Sequence, residues 1–240
     1  MRMLDLVQGT KEWLVSRLEH FTASEAPAMM GASKYMSRTE LLTLKKTGVS
    51  KPVDKFTQQI FDKGHVAEEN ARVFAELEWF AELKPLVGAI TVDGLPLLAS
   101  FDGIDDEHTV VWEHKLFNQT LFENVRNNVL EACYYWQLEH QMLVADIEEI
   151  MFTCSDGTEE NSVSMIYKSI PERREKLIAG WKQFAKDLAT HEVKAKEEKL
   201  IANEIAELPK LEVSLVGNVS NSNLVEYKST ALTFIKSINT

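Results

Sequence analysis

The spacing of apolar residues switches between a helical and a strand-like period along the chain. In residues 10–19, Trp13, Leu14 and Leu18 share one side among Lys11, Glu12 and Arg17, which predicts a short helix. Thr22 or Ser24 is placed to cap a second short helix that runs through Met30 and stops at Gly31. Ser37 and Glu40 form an S-x-x-E capping box before LLTLKK, with Gly48 as the stop, and residues 50–55 read as a linker. From about Asp54 to Glu82 the apolar positions Phe56, Ile60, Val66, Ala67, Ala71, Phe74 and Leu77 predict a long helix. Gly64 inside it signals either a close approach of another backbone or a break.

Residues 86–116 change to short β-like runs, VGAITV, LLASF and VVWEHKL. Turn signals separate them at Asp93-Gly94 and from Asp102-Gly103 through His108, so three antiparallel strands are expected. A second long helix follows from about Thr120 to Val144, then the strands IEEIMFTCS and SVSMIYKSI joined through Asp156-Gly157. Pro171 opens a last helix, Glu172 to Leu208, interrupted or bent near Gly180. This order predicts an α/β class with a mixed central sheet flanked by helices. A main domain over 1–208 is expected, with 209–240 as a C-terminal tail or the start of a further segment.

Composition narrows the class without fixing the function. Apolar residues at 45% and charged residues at 26% describe a soluble globular chain, with no run long enough to span a membrane. The opening MRMLDLVQGTKEW lacks the apolar run of a secretory signal, and Cys133 and Cys154 have no finger or CxxC spacing. A cytoplasmic location is expected on both counts. The net charge of −11 is uneven: residues 1–60 carry 9 basic and 6 acidic groups, 61–170 carry 6 and 21, and 171–240 carry 11 and 10. The acidic middle is either a solvated face or the surroundings of a divalent cation, which would invert the local charge toward a phosphate.

Within that middle, Ser100-Phe101-Asp102-Gly103 is followed by Glu113-His114-Lys115. Alternation along the strand puts Glu113 and Lys115 on one face and Trp112, His114 and Leu116 on the other. Asp102, at the end of the preceding strand, is placed to meet Glu113. Two carboxylates beside a lysine suit phosphodiester hydrolysis: carboxylates hold Mg²⁺, the ion activates water, and a lysine orients hydroxide or stabilises developing charge. Alternating charge on a half-exposed strand would produce the same short pattern. The apolar neighbours Val110, Val111, Trp112 and Leu116 favour a partly buried site, where unpaired charge is costly. Glu68 and Arg72 share a helix face, either as an ordinary i,i+4 pair or as a third acid for a metal shell. Gln137 and Gln141 likewise share a face, as plain polar positions or as amides for a lysine, a metal-bound water or a phosphate. Arg17 ahead of Thr22-Ala23-Ser24 makes an anion pocket or a solvated arginine beside a cap.

Taken in order, R17-x4-T22-A23-S24-x6-G31, G64-x3-E68-x3-R72, S100-F101-D102-G103, E113-x-K115 and Y134-x2-Q137-x3-Q141 resemble the phage-type alkaline exonucleases. That family holds lambda exonuclease and the YqaJ-like viral recombinases, within the PD-(D/E)xK nuclease superfamily. The resemblance covers roughly residues 5–170. It implies a restriction-endonuclease-like core. Asp102, Glu113 and the backbone carbonyl of His114 would be metal ligands, with Glu68 contributing from its helix. Lys115 would be the catalytic lysine, supported by Gln137 and more weakly by Gln141, and Arg17 and Ser24 would hold a 5′-terminal phosphate. It further implies Mg²⁺, with Mn²⁺ able to substitute, 5′→3′ digestion of linear duplex DNA to mononucleotides, and a 3′ overhang. The partners implied are DNA ends, a homotrimeric ring and a single-strand annealing protein, in the cytoplasm of a bacterial host of a phage or prophage.

This chain departs from the pattern at three places, one being the segment after Glu172, which has no residue-by-residue counterpart. An acidic stretch, Asp105, Asp106 and Glu107, separates the two carboxylates, as a lid or a plain turn. His114 stands where the family usually has an apolar or aromatic residue. Its side chain is expected to point away from the metal and to pack or hydrogen-bond. An endonuclease or structure-specific nuclease on the same core is the alternative within enzymes, and a catalytically silent DNA recombination scaffold is the alternative outside them.

Overall fold

The computed structural model describes residues 1–50 and 54–193. The strands are β1 (Arg2–Leu4), β2 (Phe21–Thr22), β3 (Lys84–Val92), β4 (Leu95–Ile104), β5 (Val111–Leu116), β6 (Glu149–Ser155) and β7 (Ser162–Lys168). The helices are α1 (Lys11–Glu19), α2 (Ala26–Met29), α3 (Arg38–Thr47), α4 (Lys55–Trp79), α5 (Gln119–Arg126), α6 (Ala132–Ala145) and α7 (Pro171–Thr190), with a 3₁₀ turn Ala23–Glu25 ahead of α2. The strands make one mixed sheet in the order β1-β3-β4-β5-β6-β7, and β2 lies beside β4. The pairs β5–β6 and β2–β4 are parallel and the rest antiparallel. A parallel pair needs a crossover, which α5 and α6 supply between β5 and β6.

The chain divides into two units, and the first, Met1–Leu41 with Lys51–Phe184, contains the whole sheet. α4 packs on the Trp112 face of β5 through small residues. Ala71 and Ala75 cluster with Leu83, Trp112 and Met151. α6 lies toward the opposite face, where Glu113 points. A second aromatic core joins Phe21, Trp181 and Phe184, with Phe21 stacked on Trp181 at 4.9 Å between centroids. The second unit includes Leu42–Ser50 and, among described residues, the chain from Ala185. In it, Thr43 Oγ1 lies 3.1 Å from His191 Nε2, and Lys46 Nζ donates to the Leu188 carbonyl at 3.3 Å.

The mixed sheet flanked by helices and the antiparallel β3–β4–β5 order agree with the sequence pattern. Several boundaries differ, for physical reasons. α4 runs unbroken through Gly64, where an added Cβ would meet nothing within 4 Å among the described residues, so no close approach among them explains that glycine. It ends at Phe80, which takes the left-handed conformation at φ 52° and donates its N–H to the Glu76 carbonyl. The helix expected over 120–144 is two helices. Asn127 Nδ2 donates to the Glu123 carbonyl at 2.8 Å and Asn128 sits at φ 56°, which ends α5.

β4 continues through Asp102-Gly103, where a turn was expected. Gly103 serves close packing instead: a Cβ there would lie 3.0 Å from Leu83 Cβ and 3.1 Å from the Trp112 ring. The turn comes later, where Asp105 accepts from the N–H groups of Thr109 at 2.7 Å and Val110 at 2.8 Å. With Lys84 paired to Asp106 at 2.9 Å, the acidic stretch is a tied turn. α7 is straight in sequence through Gly180 and stops at Thr190, whose hydroxyl bonds back to Lys186 and Asp187 carbonyls. The rest of the expected helix, 194–208, and the tail 209–240 lie outside the described residues.

Candidate active site

The site forms where β4 and β5 part. They pair only at Gly103 with Trp112 and Ile104 with Val111, while β2 meets the other end of β4 at Leu97 and Leu98. Between these contacts, side chains and not a strand meet the β4 edge. Gln141 Nε2 donates to the Ser100 carbonyl at 3.2 Å and Arg72 Nε to the Asp102 carbonyl at 3.1 Å. Trp13 Nε1 donates to Ser100 Oγ at 2.9 Å.

Glu113 is the centre of this gap and is 1% exposed. A carboxylate so deep requires donors, and it has them on both oxygens. Lys115 Nζ and Gln137 Nε2 donate to Oε1, the latter at 2.6 Å, and Gln141 Nε2 donates to Oε2 at 2.6 Å. The four-residue spacing on α6 is what brings both amides to one carboxylate. Asp102 enters from β4, its Oδ2 accepting from the backbone N–H of His114 at 2.9 Å. In strand geometry the carbonyl of His114 points to the same side as its N–H, toward that gap. Its imidazole turns the other way, with Nε2 2.9 Å from Ser155 Oγ, matching the hydrogen-bond role expected of it. Glu68, on α4, accepts from Arg72 Nη2 at 2.8 Å.

Charge crowding shows in the acid–base properties. Burial first, then the Glu113 charge, pushes Asp102 well above the usual carboxylate range. Glu68 is raised by the same two causes, against the pull of Arg72. Burial works against the Lys115 ammonium, but Glu113 and Asp102 outweigh it and hold the amine above its ordinary value. Burial and the neighbouring Lys115 lower His114 to about 4, so the imidazole is neutral at pH 7.

Arg17, Ser24 and Trp13 form a polar cluster near the N-terminus. Arg17 Nη1 donates to Ser24 Oγ at 3.1 Å, and its guanidinium lies 4.6 Å from the centre of the Trp13 ring. The same Trp13 reaches Ser100, so the Arg17 cluster joins the carboxylate site through one side chain. Sequence reasoning passed over Trp13 and Glu25. Trp13 precedes Arg17 by one helical turn, and Thr22-x-x-Glu25 is a capping-box spacing, realised here with the Thr22 N–H donating to Glu25 Oε2 at 3.1 Å.

Among the described residues, no group of three or more His, Cys, Asp and Glu side chains gathers in a way that could hold a metal ion. Amides and Lys115 engage Glu113, and Arg72 engages Glu68. The donors present are nevertheless hard oxygens, those of Asp102, Glu113 and the His114 carbonyl, which suit Mg²⁺. Among the described residues, Gln141 Oε1 is buried with no hydrogen-bond partner. Crowded negative charge that raises Asp102 is also what a divalent cation would relieve. The donor set therefore fits such an ion in chemistry, with Glu68 turned to Arg72 in the present arrangement.

Comparison with solved structures bears on the fold. Two structures of the alkaline exonuclease LHK-Exo from Laribacter hongkongensis, one in complex with dAMP, align at TM-scores of 0.61 and 0.60. Identity is 20%, over 83% of this chain and 100% of theirs. A phage related exonuclease from Haemophilus somnus 129PT aligns at 0.51 with 13% identity, over 79% of this chain and 99% of that one. The protein thus has the restriction-endonuclease-like fold of these exonucleases. The model of the YqaJ-like viral recombinase domain matches residues 12–148, more than half of the chain, and the chain belongs to that family. No curated protein matches it. Among the described residues, no helix is long and apolar enough to cross a membrane.

Proposed function

We propose that this protein is a Mg²⁺-dependent 5′→3′ exonuclease acting on linear double-stranded DNA, releasing 5′-mononucleotides and leaving 3′ overhangs for phage-type recombination. The observation that carries the reading is Glu113: a buried carboxylate on β5 that takes Lys115, Gln137 and Gln141, with Asp102 bonded to the next residue. Asp102, Glu113 and the His114 carbonyl would hold the ion, with Glu68 drawn in from α4, and Mn²⁺ would substitute. When bound, the ion supplies an activated water and neutralises charge on the phosphate.

The chain's own residues do the rest. Lys115 presents a fixed positive charge beside the scissile phosphate and orients the attacking oxygen. Gln137 and Gln141 hold Glu113 so that its oxygens do not swing away. Arg17 and Ser24 would take the 5′-terminal phosphate, a bidentate guanidinium and a hydroxyl being a suitable donor pair. Retention on DNA by an acidic protein is accounted for by a homotrimeric ring, and the overhang would pass to a single-strand annealing protein in the bacterial cytoplasm. Digestion of linear duplex but not of covalently closed circle, dependent on Mg²⁺, tests the reading.

A further inference from the structure

Glu25 is the residue that the reaction, as described so far, leaves unused. Its side chain is only 8% exposed, and its Oε1 lies 3.6 Å from Arg17 Nη2. Its other oxygen, Oε2, takes the Thr22 N–H at 3.1 Å. Arg17 Nη1 thus meets Ser24 Oγ at 3.1 Å while Nη2 faces Glu25, with the Trp13 ring 4.6 Å away. A buried carboxylate is costly to maintain. For capping the 3₁₀ turn alone, a neutral side chain with an oxygen would serve. A negative charge beside an arginine that binds a phosphate weakens that binding, because the two anions compete for one guanidinium.

We propose that Glu25 tunes the hold of the Arg17–Ser24 pocket on a 5′-terminal phosphate, offsetting the arginine charge so that each newly exposed end is bound and then released. The inference rests on the phosphate-pocket reading given above. An enzyme that removes one nucleotide per cycle must let its grip go after each cut, and a neighbouring carboxylate weakens the arginine's hold on a second anion. Arg17 is the binding group, and Glu25 acts through it as a positioning residue. An opposite charge 4–6 Å away is worth roughly one to three powers of ten at buried sites. Arg17 is 22% exposed, which puts the effect near the lower end, at about tenfold.

The test is equilibrium binding of the full chain to blunt duplex DNA bearing a 5′-phosphate or a 5′-hydroxyl, with Ca²⁺ in place of Mg²⁺, for wild type, Glu25→Gln and Glu25→Asp. Glu25→Gln keeps an oxygen for the Thr22 N–H and loses the charge. It is expected to bind the 5′-phosphate end about tenfold more tightly, with 5′-hydroxyl binding unchanged. In Mg²⁺ it should show a lower KM with a lower multiple-turnover kcat. Glu25→Asp keeps the charge and should keep the wild-type phosphate-to-hydroxyl ratio within about twofold. Unchanged or weaker phosphate preference in Glu25→Gln overturns the proposal, and so does equal tightening in Glu25→Asp. Wild type that fails to distinguish the two ends overturns the phosphate pocket itself, a separate result.

Discussion

The backbone N–H of His114 donates to Asp102 Oδ2 at 2.9 Å, so a carboxylate occupies the place a strand carbonyl would take where β4 and β5 separate. One side chain thereby joins the two strands and delivers an acid to the gap. Asp102→Asn can still accept from His114 and should unfold close to wild type. Asp102→Leu leaves that N–H unsatisfied and should lose about 1–3 kcal/mol. Both should lose metal-dependent cleavage. Thermal unfolding beside a digestion assay checks this: equal destabilisation by the two variants would mean that the hydrogen bond does not support the strands.

Lys115→Ala removes the one cation that touches Glu113 among the described residues, while Gln137 and Gln141 remain as its donors. Cleavage should fall by roughly a thousandfold or more, with the fold retained. Single-turnover digestion together with circular dichroism decides it. A folded variant cleaving at the wild-type rate contradicts the role assigned to Lys115.

Much of this was legible before the structure. Two-residue alternation in VVWEHKL put Glu113 and Lys115 on one face, and the i,i+4 spacing put Gln137 with Gln141, because those periods are properties of the backbone alone. β1 and β2 were not legible, since they have three and two residues and no room for a period. Asp102-Gly103 read as a turn because Asp-Gly commonly is one. The glycine is there for the closeness of Leu83 and Trp112, a tertiary fact. Trp13 and Glu25 escaped for the same reason: their partners Ser100 and Arg17 come together only in the folded chain.

Gly64 shows the reverse case, a signal without a packing cause. It lies inside α4 with nothing within 4 Å of an added Cβ among the described residues. Gly64→Ala should stabilise the protein by roughly 0.5–1 kcal/mol through helix propensity. Denaturant unfolding is the check. Destabilisation would show that the helix needs glycine there.

Raised carboxylates give metal binding a pH dependence of definite sign. Asp102 and Glu68 keep their protons to higher pH than ordinary carboxyls, and an ion must displace them. Mn²⁺ affinity should therefore climb as pH rises through and above the usual carboxylate range. In chelator the Asp102 contribution to stability runs the other way: the folded state keeps a proton at this group that the unfolded chain gives up, so that contribution is gained as pH falls through the raised Asp102 range, while His114, lowered to about 4, contributes the opposite sign below its ordinary value. Asp102→Asn should flatten both trends. Calorimetric Mn²⁺ titration at several pH values, and melts in chelator, test the two halves. Affinity independent of pH would contradict the description of the site.

The central claim, metal-dependent hydrolysis from a 5′ end at the Asp102–Glu113–Lys115 site, is tested most directly by one digestion. Linear duplex DNA is labelled separately at each end, with a 5′-phosphate or a 5′-hydroxyl, in Mg²⁺ or in chelator, beside covalently closed circle. The account predicts mononucleotides released first from phosphorylated 5′ ends, an intact circle and no reaction in chelator. Cutting of the circle, release from 3′ ends or undiminished digestion in chelator would contradict it.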